Sequence, residues 1–490
     1  MQVGEIAGLV IVCAGLTFSL KRLRLGWCFP ACVVVGAGLA YVALRLTVMQ
    51  PAQALSTAIF VLAYALIASE RLHQTTVAIA GAVAMLLVGL IQQKEAFHGT
   101  DAIQGIDWNT IFLLIGMMII VNITRHTGVF QWVAIKAAKL ARGEPVAIII
   151  LLSLATAVLS AVLDNVTTVL LLAPVTILVF QSLKVEPVRA LICVILASNI
   201  GGTATLIGDP PNIMIGSAAE LSFLDFLKVD GPVIVVILAV FIVTIQLLFR
   251  NRFHVTAEQR AHVMAFDDTK VITDKRLLRR SLAVAGVTLI GFFLHGWLGL
   301  EPATIALAGA VLMMLMHNDG PEAALREVEW PTIFFFIGLF IMVSALVKAG
   351  VVALVGESIL SLTQGNVLAM TMLVLWVSAI GSGIVGSVPF VATGSVLIHG
   401  IATTLHPEAT TFLAAAHAPD VLPLWWALSL GSCLGGNLTL VASAANLVVA
   451  GIAAQTEHPI GFSRFMKYSV PITLQGLIIS SIWLWFLFLR

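Results

Sequence analysis

The sequence carries very little charge for its length. Asp, Glu, Lys and Arg together make up 10% of its 490 residues, whereas a soluble domain carries about 25%. Hydrophobic residues make up 60% of the chain. A water-soluble fold of this size could not bury so much apolar surface. The composition therefore excludes a soluble protein and predicts an integral membrane protein in contact with the lipid bilayer.

Motifs for catalysis and for ATP hydrolysis are also missing. The five cysteines lack CxxC spacing, which excludes a zinc site or a disulfide framework of the usual kind. There is no HExxH, no GxxxxGK[ST] and no acid pair at metal-ligand spacing. We therefore expect neither an enzyme, nor a cofactor, nor a bound metal. The net charge of +1 gives no indication of a nucleic-acid partner.

Apolar stretches cover most of the chain. About 20 mostly apolar residues are needed to span a bilayer. The uninterrupted candidates are 3–20, 26–48, 52–69, 74–92, 108–124, 231–249, 281–297, 303–316, 331–347 and 468–489. The stretches 146–182, 189–220, 366–402 and 424–452 are equally apolar, but Gly, Pro, Asn and Thr interrupt them. The first stretch lacks a basic region before it and a cleavage site after it, so we expect it to remain as a span.

The placement of Lys and Arg predicts the orientation. The polar segment Arg250–Arg280 holds eight Lys and Arg against four acids, which is typical of a cytoplasmic linker. Lys21, Arg22 and Arg24 place the first loop inside and the N-terminus outside. From Asn366 to Ser463 there is no Lys or Arg, so the loop 403–423 is predicted outside. The pattern indicates a multi-pass protein of the plasma (inner) membrane.

The chain contains an internal repeat. Asp107–Gly116 matches Glu329–Gly338, Ala78–Val83 matches Ala306–Val311, and Gly201–Leu206 matches Gly435–Leu440, in the same order. The amphipathic stretch after Gly128 is basic, whereas its partner after Gly350 is nearly free of cations, so the copies are predicted to have opposite orientations. Inverted repeats with broken helices are typical of secondary transporters. We divide the chain into two N-terminal spans (1–50), a first repeat (51–249), a linker (250–280) and a second repeat (281–490).

The polar residues that are costly to bury in a membrane are concentrated in the four interrupted stretches. Unwound backbone at membrane depth is tolerated only where it lines a cavity or is buried in protein, and its free amides and carbonyls can then bind an ion. We predict a substrate-binding or proton-coupling site there. Its residues are Asp164, Asn165, Thr168, Asn199, Thr205, Asp209 and Asn212 from the first repeat, and Ser387, Asn437, Thr439, Ser443 and Asn446 from the second.

Asp164 and Asp209 are the only carboxylates in the polar motifs of these stretches, which are Leu163–Thr168, Ala197–Asn212, Gly386–Pro389 and Cys433–Asn446. A charged group near the bilayer centre costs about 2.5–3.5 kcal/mol or more, so such residues usually mark ion or proton pathways. Alternatively, Asp164 caps a helix, Asp209 caps the turn before Pro210, and the asparagines satisfy the backbone of the broken helices. One or two acids among neutral groups favour proton exchange against a neutral or small ionic substrate over a divalent cation.

Three motifs resemble those of a known superfamily. They are Leu159–Thr168, Ala197–Gly216 and the segment from Ala427 to Asn446. All three are similar to the ion transporter superfamily, in the branch of arsenite permeases, sodium/proton antiporters and the melanosomal P protein. The resemblance covers about residues 50–490. It implies an all-α membrane fold of about 12 transmembrane helices plus two re-entrant hairpins, working as an elevator-type homodimer. It also implies that seven of the predicted site residues surround the substrate: Asp164, Asn165, Asn199, Asp209, Asn212, Asn437 and Asn446.

The second hairpin departs from the resemblance, because it reads Gly386-Ser387-Val388-Pro389 where relatives often keep Asp-Asn. This difference weakens the hypothesis of a sodium-coupled site. The Ser-Asn-Thr tips of the dicarboxylate carriers are absent as well, which argues against citrate or succinate. Our first hypothesis is therefore arsenite or antimonite efflux by proton antiport. The alternatives are a sodium/proton antiporter and an uncoupled anion channel or transporter.

Overall fold

The computed structural model describes residues 50–68, 72–91, 104–250, 252–253, 255–266, 271–317, 320–409, 411–488 and 490. These residues form 21 α-helices and no β-strand, which confirms the predicted all-α class. The predicted spans 3–20 and 26–48, and with them nearly all of the N-terminal region 1–50, lie outside the described residues.

In chain order the helices are α1 Pro51–Ala68, α2 Gln74–Ile91, α3 Trp108–Arg125, α4 Val129–Leu140, α5 Pro145–Ser160, α6 Asn165–Ser182, α7 Val188–Gly202, α8 Pro210–Ala218, α9 Phe223–Phe249, α10 Ala257–Met264, α11 Lys275–Leu298, α12 Pro302–Met316, α13 Gly320–Arg326, α14 Trp330–Lys348, α15 Val351–Thr363, α16 Val367–Val385, α17 Ser387–Leu405, α18 Phe412–Ala416, α19 Leu422–Gly435, α20 Ala444–Ala454 and α21 Phe462–Phe488.

Eight of the described helices are long and apolar enough to cross a membrane: α3, α6, α9, α11, α14, α16, α17 and α21. Eight further helices are apolar but shorter. The multi-pass membrane architecture is therefore confirmed. The orientation of the termini, the plasma-membrane location, the homodimer and the elevator mechanism stay predictions, as does the division of the chain into repeats and linker.

Each interrupted stretch consists of two helices separated by a break. The breaks lie at 161–164 between α5 and α6, at 203–209 between α7 and α8, at Gly386 between α16 and α17, and at 436–443 between α19 and α20. Local chemistry explains them. Asp164 caps α6, while Pro210 and Pro211 can begin a helix but cannot continue one. Gly386 has a φ of +106°, which side chains with a Cβ rarely adopt.

Helix α9 begins earlier than the apolar run predicts. The expected span starts at residue 231, but the helix starts at Phe223 because Ser222 and Asp225 form a capping box. The Ser222 side chain accepts the Asp225 amide, and the Asp225 side chain accepts the Ser222 amide. This cap adds two turns to the helix, and those turns contain a buried acid, Asp230.

The chain divides into two compact units. One comprises the described residues up to Trp108 together with Glu329–Gln364 and Val396–Phe412. In this unit α14 packs against α2. Gly338 meets the backbone of Ala78 there, so a Cβ atom on Gly338 would lie 2.7 Å from the Ala78 carbonyl carbon.

The other unit comprises Asn109–Val328, Gly365–Ser395 and Leu413–Arg490, and it contains all four breaks. In this unit Gly116 meets the backbone of Ala306, and its Cβ atom would lie 2.7 Å from the Ala306 carbonyl carbon. Gly116 corresponds to Gly338 in the repeat, and Ala306 corresponds to Ala78. Each repeat therefore supplies the glycine for one contact and the alanine for the other.

The same unit contains two pseudo-equivalent helix pairs. Helix α5 packs on α7 in the first repeat, and α16 packs on α19 in the second. At the closest point of the first pair, a Cβ atom on Gly201 would lie 2.2 Å from the Ala157 carbonyl oxygen. In the second pair, a Cβ atom on Gly435 would lie 2.4 Å from the Ala379 carbonyl oxygen. Each hairpin is thus pressed directly against the helix that precedes the second break of its repeat.

Candidate functional site

Four buried asparagines from the breaks of both repeats meet in one cluster. Asn199 is at its centre, and its Nδ2 donates to Asn437 Oδ1 at 2.9 Å and to Asn446 Oδ1 at 3.0 Å. The Oδ1 atom of Asn199 accepts from Asn165 Nδ2 at 3.3 Å. All four side chains are at most 4% exposed. The structure therefore brings together two segments of the chain whose residues Asn199 and Asn437 are 238 positions apart.

Two further predicted residues join this asparagine cluster. Asp209 is 3% exposed, and its Oδ1 accepts from Asn165 Nδ2 at 3.0 Å. Ser443 Oγ donates to Asn199 Oδ1 at 3.3 Å. The cluster thus combines amides and a hydroxyl, which can both donate and accept hydrogen bonds, with one carboxylate.

Asn212 and Asn446 also support the breaks themselves. The Nδ2 of Asn212 donates to the carbonyl of Thr205 at 2.9 Å and to that of Thr203 at 3.1 Å. The Nδ2 of Asn446 donates at 2.9 Å to the carbonyl of Thr439, which again lies seven residues earlier. Unwinding leaves these carbonyls without helical partners, and an unpaired buried carbonyl is costly. Satisfying the broken backbone, one of the alternatives above, is therefore part of what these two residues do.

Thr205 and Thr439 connect each break to its own hairpin. Thr205 Oγ1 donates to the Ala161 carbonyl at 2.5 Å, and Thr439 Oγ1 donates to the Gly383 carbonyl at 2.6 Å. Ala161 and Gly383 occupy corresponding positions near the hairpin tips. The hydroxyls of the two threonines are thus engaged with backbone rather than with the asparagine cluster.

At the first hairpin tip, Asp164 is the N-cap of α6. Its Oδ1 accepts the Thr167 amide at 2.8 Å, and Thr168 Oγ1 donates to the Asp164 carbonyl at 2.9 Å. The Asp164 side chain is only partly buried. The helix-cap alternative is therefore correct for the geometry of Asp164, and the cap leaves its second carboxylate oxygen for other partners.

At the second hairpin tip, Ser387 takes the place of Asn165. Its amide donates to the Ala442 carbonyl at 3.1 Å, which joins this tip to the break between α19 and α20. Gly386 supplies neither a charge nor an amide side chain. The site is consequently asymmetric, with both carboxylates on the first-repeat side.

The electrostatic character of the site is set by two carboxyl groups, Asp164 and Asp209. Within the part of the chain that the structure describes, neither Asp164 nor Asp209 has an ion pair with Lys, Arg or His. The same ranges contain no group of three His, Cys, Asp or Glu side chains placed to hold a metal ion. This environment is unfavourable for a multiply charged anion, because nothing in it compensates the charge.

A cavity of about 250 Å³ lies beside the first broken helix. Its lining includes Leu206, Ile213 and Gly216 together with the polar residues His295 and Glu301. The break at 203–209 therefore contributes Leu206 to a partly polar cavity and Asp209 to the asparagine cluster.

One buried acid is not among the site residues predicted from the sequence. Asp230, in α9, is 0% exposed, and its Oδ2 accepts from Ser429 Oγ at 2.7 Å. The same hydroxyl lies 2.8 Å from Asn212 Oδ1. Asp230 lies just before the predicted span 231–249 and therefore looks like an interfacial residue. The sequence feature that indicates this acid is the motif Asp230-Gly231-Pro232 at the edge of a long apolar run.

The contact between Cys433 and Asn212 is likewise not predicted from the sequence. Its Sγ lies 3.3 Å from Asn212 Oδ1. In the repeat, Cys433 corresponds to Asn199, and Asn212 corresponds to Asn446. The contact of Cys433 with Asn212 is therefore the repeat equivalent of the hydrogen bond from Asn199 to Asn446.

Comparison with known proteins gives one family. The family model described as "Citrate transporter" matches residues 64–431. An uncharacterized transporter of Mycobacterium tuberculosis is 43% identical over 427 residues, which cover 87% of this chain and 96% of that protein. The human P protein is 33% identical over 500 residues, covering 85% of this chain and 58% of the P protein.

A solved structure shares the fold. The YdaH transporter of Alcanivorax borkumensis, described as having an unusual topology, superposes with a TM-score of 0.56. The match covers 85% of this chain and 98% of that one, at 12% sequence identity. This likeness shows that the two chains share a fold.

Proposed function

This chain belongs to the citrate transporter family of ion transporters, and we propose that it exchanges a small uncharged inorganic solute for protons, with arsenite and antimonite as the first candidates. The observation that carries the proposal is the combination of neutral amides and an unpaired acid in one buried cluster. Asn165, Asn199 and Asp209 are its centre.

Arsenite suits such a cluster for a chemical reason. Near neutral pH it is an uncharged molecule with three hydroxyl groups, each of which can donate and accept a hydrogen bond. Amide side chains offer both partners without a charge that would have to be compensated. Binding would replace the bonds that Asn199 makes to Asn437 and Asn446, which are the amide–amide bonds of the cluster.

The carboxylates supply the coupling in this proposal. Asp209 and Asn199 both accept a hydrogen bond from Asn165. A change in the protonation state of Asp209 therefore alters the hydrogen bonds available to the solute. Asp164 is the second candidate, because its cap uses one carboxylate oxygen only. Proton uptake by one of these acids and solute binding would then occur in alternation, as antiport requires.

Citrate alone fits the described site poorly. It is a trianion near neutral pH, and no cation is paired with either Asp164 or Asp209 among the described residues. Citrate would need a bound metal ion to compensate its charge. Sodium is the second candidate, since Asp209 and the amide oxygens are ligands of the type that hard cations prefer.

The test is proton flux in proteoliposomes with an acidic lumen, reported by a pH-sensitive dye. Arsenite, antimonite, sodium, lithium, citrate and citrate with Mg²⁺ are added separately. Loss of the pH gradient with arsenite or antimonite alone supports the proposal. Loss with sodium or lithium alone supports the cation antiporter, and loss with metal-bound citrate alone overturns both. Asp209→Asn should abolish the response, while Asp225→Asn, a matched change at the cap of α9, should keep it.

A further inference from the structure

A second buried acid, besides Asp209, lies outside the asparagine cluster. Asp230 is on α9, seven residues or about 10 Å along the helix from its first residue. Its side chain is 0% exposed, Oδ2 is bonded to Ser429, and Oδ1 has no hydrogen-bond partner among the described residues. An ionised carboxylate with one hydrogen bond and no countercharge is among the most costly groups to bury.

Ser429 connects this acid to Asn212. Its Oγ lies 2.7 Å from Asp230 Oδ2 and 2.8 Å from Asn212 Oδ1. A serine hydroxyl has a single hydrogen, so it can donate to one of these two oxygens only. In the other contact the hydrogen has to come from the partner of Ser429, which is either Asn212 or Asp230. Two oxygens less than 3 Å apart repel each other if no hydrogen lies between them.

Asn212 cannot supply that hydrogen. Both hydrogens of its Nδ2 are directed at the carbonyls of Thr203 and Thr205. Rotating the amide by 180° would place its oxygen against those two carbonyl oxygens instead, which exchanges two good bonds for two repulsive contacts. Asn212 Oδ1 is therefore an acceptor, and the hydrogen between Ser429 and Asp230 has to come from the carboxyl group.

We infer that Asp230 carries a proton in this conformation and is a second proton-linked residue of the transporter. The carboxyl O–H donates to Ser429 Oγ, and the Ser429 O–H donates to Asn212 Oδ1. When Asp230 releases its proton to water, the Ser429 hydrogen turns to the new carboxylate. Asn212 Oδ1 then keeps only the weak bond from the Cys433 thiol.

This switch acts on the first broken helix. Asn212 holds the break at 203–209 through two backbone carbonyls, and its Oδ1 accepts from Ser429. Loss of the Ser429 bond leaves the buried Oδ1 of Asn212 with the weak thiol bond alone, so this arrangement of the break is less stable when Asp230 is ionised. The protonation state of Asp230 is thus transmitted to the loop that also ends in Asp209.

The charged surroundings of Asp230 are sparse. Helix α9 packs against α5, α7, α11, α19 and α21. Helix α5 has no titratable side chain, and from α19 the Cys433 thiol faces Asp230. The other titratable groups are Asp225 and Lys228 on α9 itself, Arg189 and Cys193 on α7, and Arg464, Lys467 and Tyr468 on α21. Helix α11 adds His295 and the basic residues of its first two turns. None of these groups has a hydrogen bond or an ion pair with Asp230.

The first test needs no substrate, so it stays informative if the proposed solute is wrong. Infrared difference spectra of the purified full-length protein report the carbonyl band of a protonated carboxylic acid. Asp230→Asn should remove one such band that Asp225→Asn retains, and transfer to D₂O should shift that band. If no band depends on Asp230, or if the band does not shift in D₂O, the proton is absent or purely structural, and the inference is overturned.

The second test rests on the proposed proton-coupled transport and separates coupling from binding. Asp230→Asn, with its size-exclusion profile as a folding control, should keep arsenite counterflow at equal pH but lose flux driven by a pH gradient. Ser429→Ala should keep the infrared band and reduce the driven flux by about tenfold or more, the order expected for a lost hydrogen bond to a charged group. Unchanged driven flux in Asp230→Asn, or loss of counterflow in a well-folded variant, would overturn the inference. If the wild type moves no tested solute, the proposed function fails and the infrared result still decides the state of Asp230.

Discussion

Asn199 donates a hydrogen bond to Asn446 at 3.0 Å, and the pseudo-equivalent pair is Cys433 with Asn212 at 3.3 Å. Equivalent positions of the two repeats thus contact each other twice, once from each repeat. In one of these two contacts a thiol takes the place of the donating amide. An amide donates strong hydrogen bonds, whereas a thiol is a weak donor. The second contact is therefore the weaker of the two, and it involves the asparagine that Ser429 also contacts.

The contact at Cys433 leads to a first prediction. Cys433→Ser should change the free energy of unfolding by less than about 1 kcal/mol, because a hydroxyl can donate to Asn212 in place of the thiol. Arsenite-driven proton flux should also persist, since a single thiol cannot supply the three ligands that trivalent arsenic prefers. Thermal melting in detergent and the liposome assay measure the two properties. Loss of arsenite flux in a stable Cys433→Ser protein would instead identify the thiol as a ligand.

The cap at Asp164 allows its two roles to be separated. Asparagine is as good an N-cap as aspartate, so Asp164→Asn should leave the melting temperature near that of the wild type. Asp164→Ala should cost about 1 kcal/mol through loss of the bond to Thr167. If Asp164 exchanges protons, both variants should lose proton flux. Full flux in Asp164→Asn, together with a destabilised Asp164→Ala, would make the residue a cap only.

The close approach of the hairpins predicts intolerance to one added methyl group. Gly201→Ala and Gly435→Ala would push a Cβ atom to 2.2 Å and 2.4 Å from backbone carbonyl oxygens. Each should destabilise the protein by about 1–3 kcal/mol or more, the cost of overpacking against a backbone that cannot turn away. Gly286→Ala is the matched control, because no atom lies within 4 Å of its Cβ position. Melting temperatures of the three variants in detergent should separate the first two from the control.

The ion pair between Arg464 and Glu186 predicts a loss of stability in acid. Arg464 Nη2 lies 2.6 Å from Glu186 Oε2, and this hydrogen bond lowers the pKa of Glu186 from its usual 4.5 despite partial burial. A lowered pKa means that the stabilisation is complete above pH 4.5 and is lost as the pH falls through the folded-state value. Because the pair is more than one-third exposed, it should contribute at most about 1 kcal/mol.

A double-mutant cycle measures that contribution. Glu186→Gln and Arg464→Gln, alone and together, should show a coupling energy near pH 7 that is lost as the pH falls through the lowered folded-state pKa of Glu186. A coupling that persists unchanged in acid would show that the pair is not electrostatic. High salt should reduce it as well, since both groups are partly solvated.

Much of the site follows from the sequence, because its polar residues interrupt otherwise apolar stretches. Asn199 and Asn446 stand out for that reason, and the repeat places them at related breaks. Their hydrogen-bond directions do not follow from the sequence. The finding that Thr205 faces a hairpin carbonyl rather than the cluster depends on side-chain rotamers, and no spacing rule encodes these.

Asp230 shows where the sequence argument fails. Hydropathy assigns an acid at the end of an apolar run to the interface, and only the capping box at Ser222 extends the helix far enough to bury it. Its partner Ser429 has no feature that separates it from the other serines of the chain. Burial of that pair depends on how α9 packs against α19, and this packing is a property of the tertiary structure.

The reciprocal contacts of Gly116 with Ala306 and of Gly338 with Ala78 have a consequence for biogenesis. The contact between α3 and α12 can form only after the ribosome has synthesised α12. The contact between α2 and α14 likewise requires that α14 has been synthesised. Neither repeat can complete its own packing alone. These contacts of α2 and α3 must therefore form after the second half is translated, and the final assembly of this transporter is a late, post-insertion event.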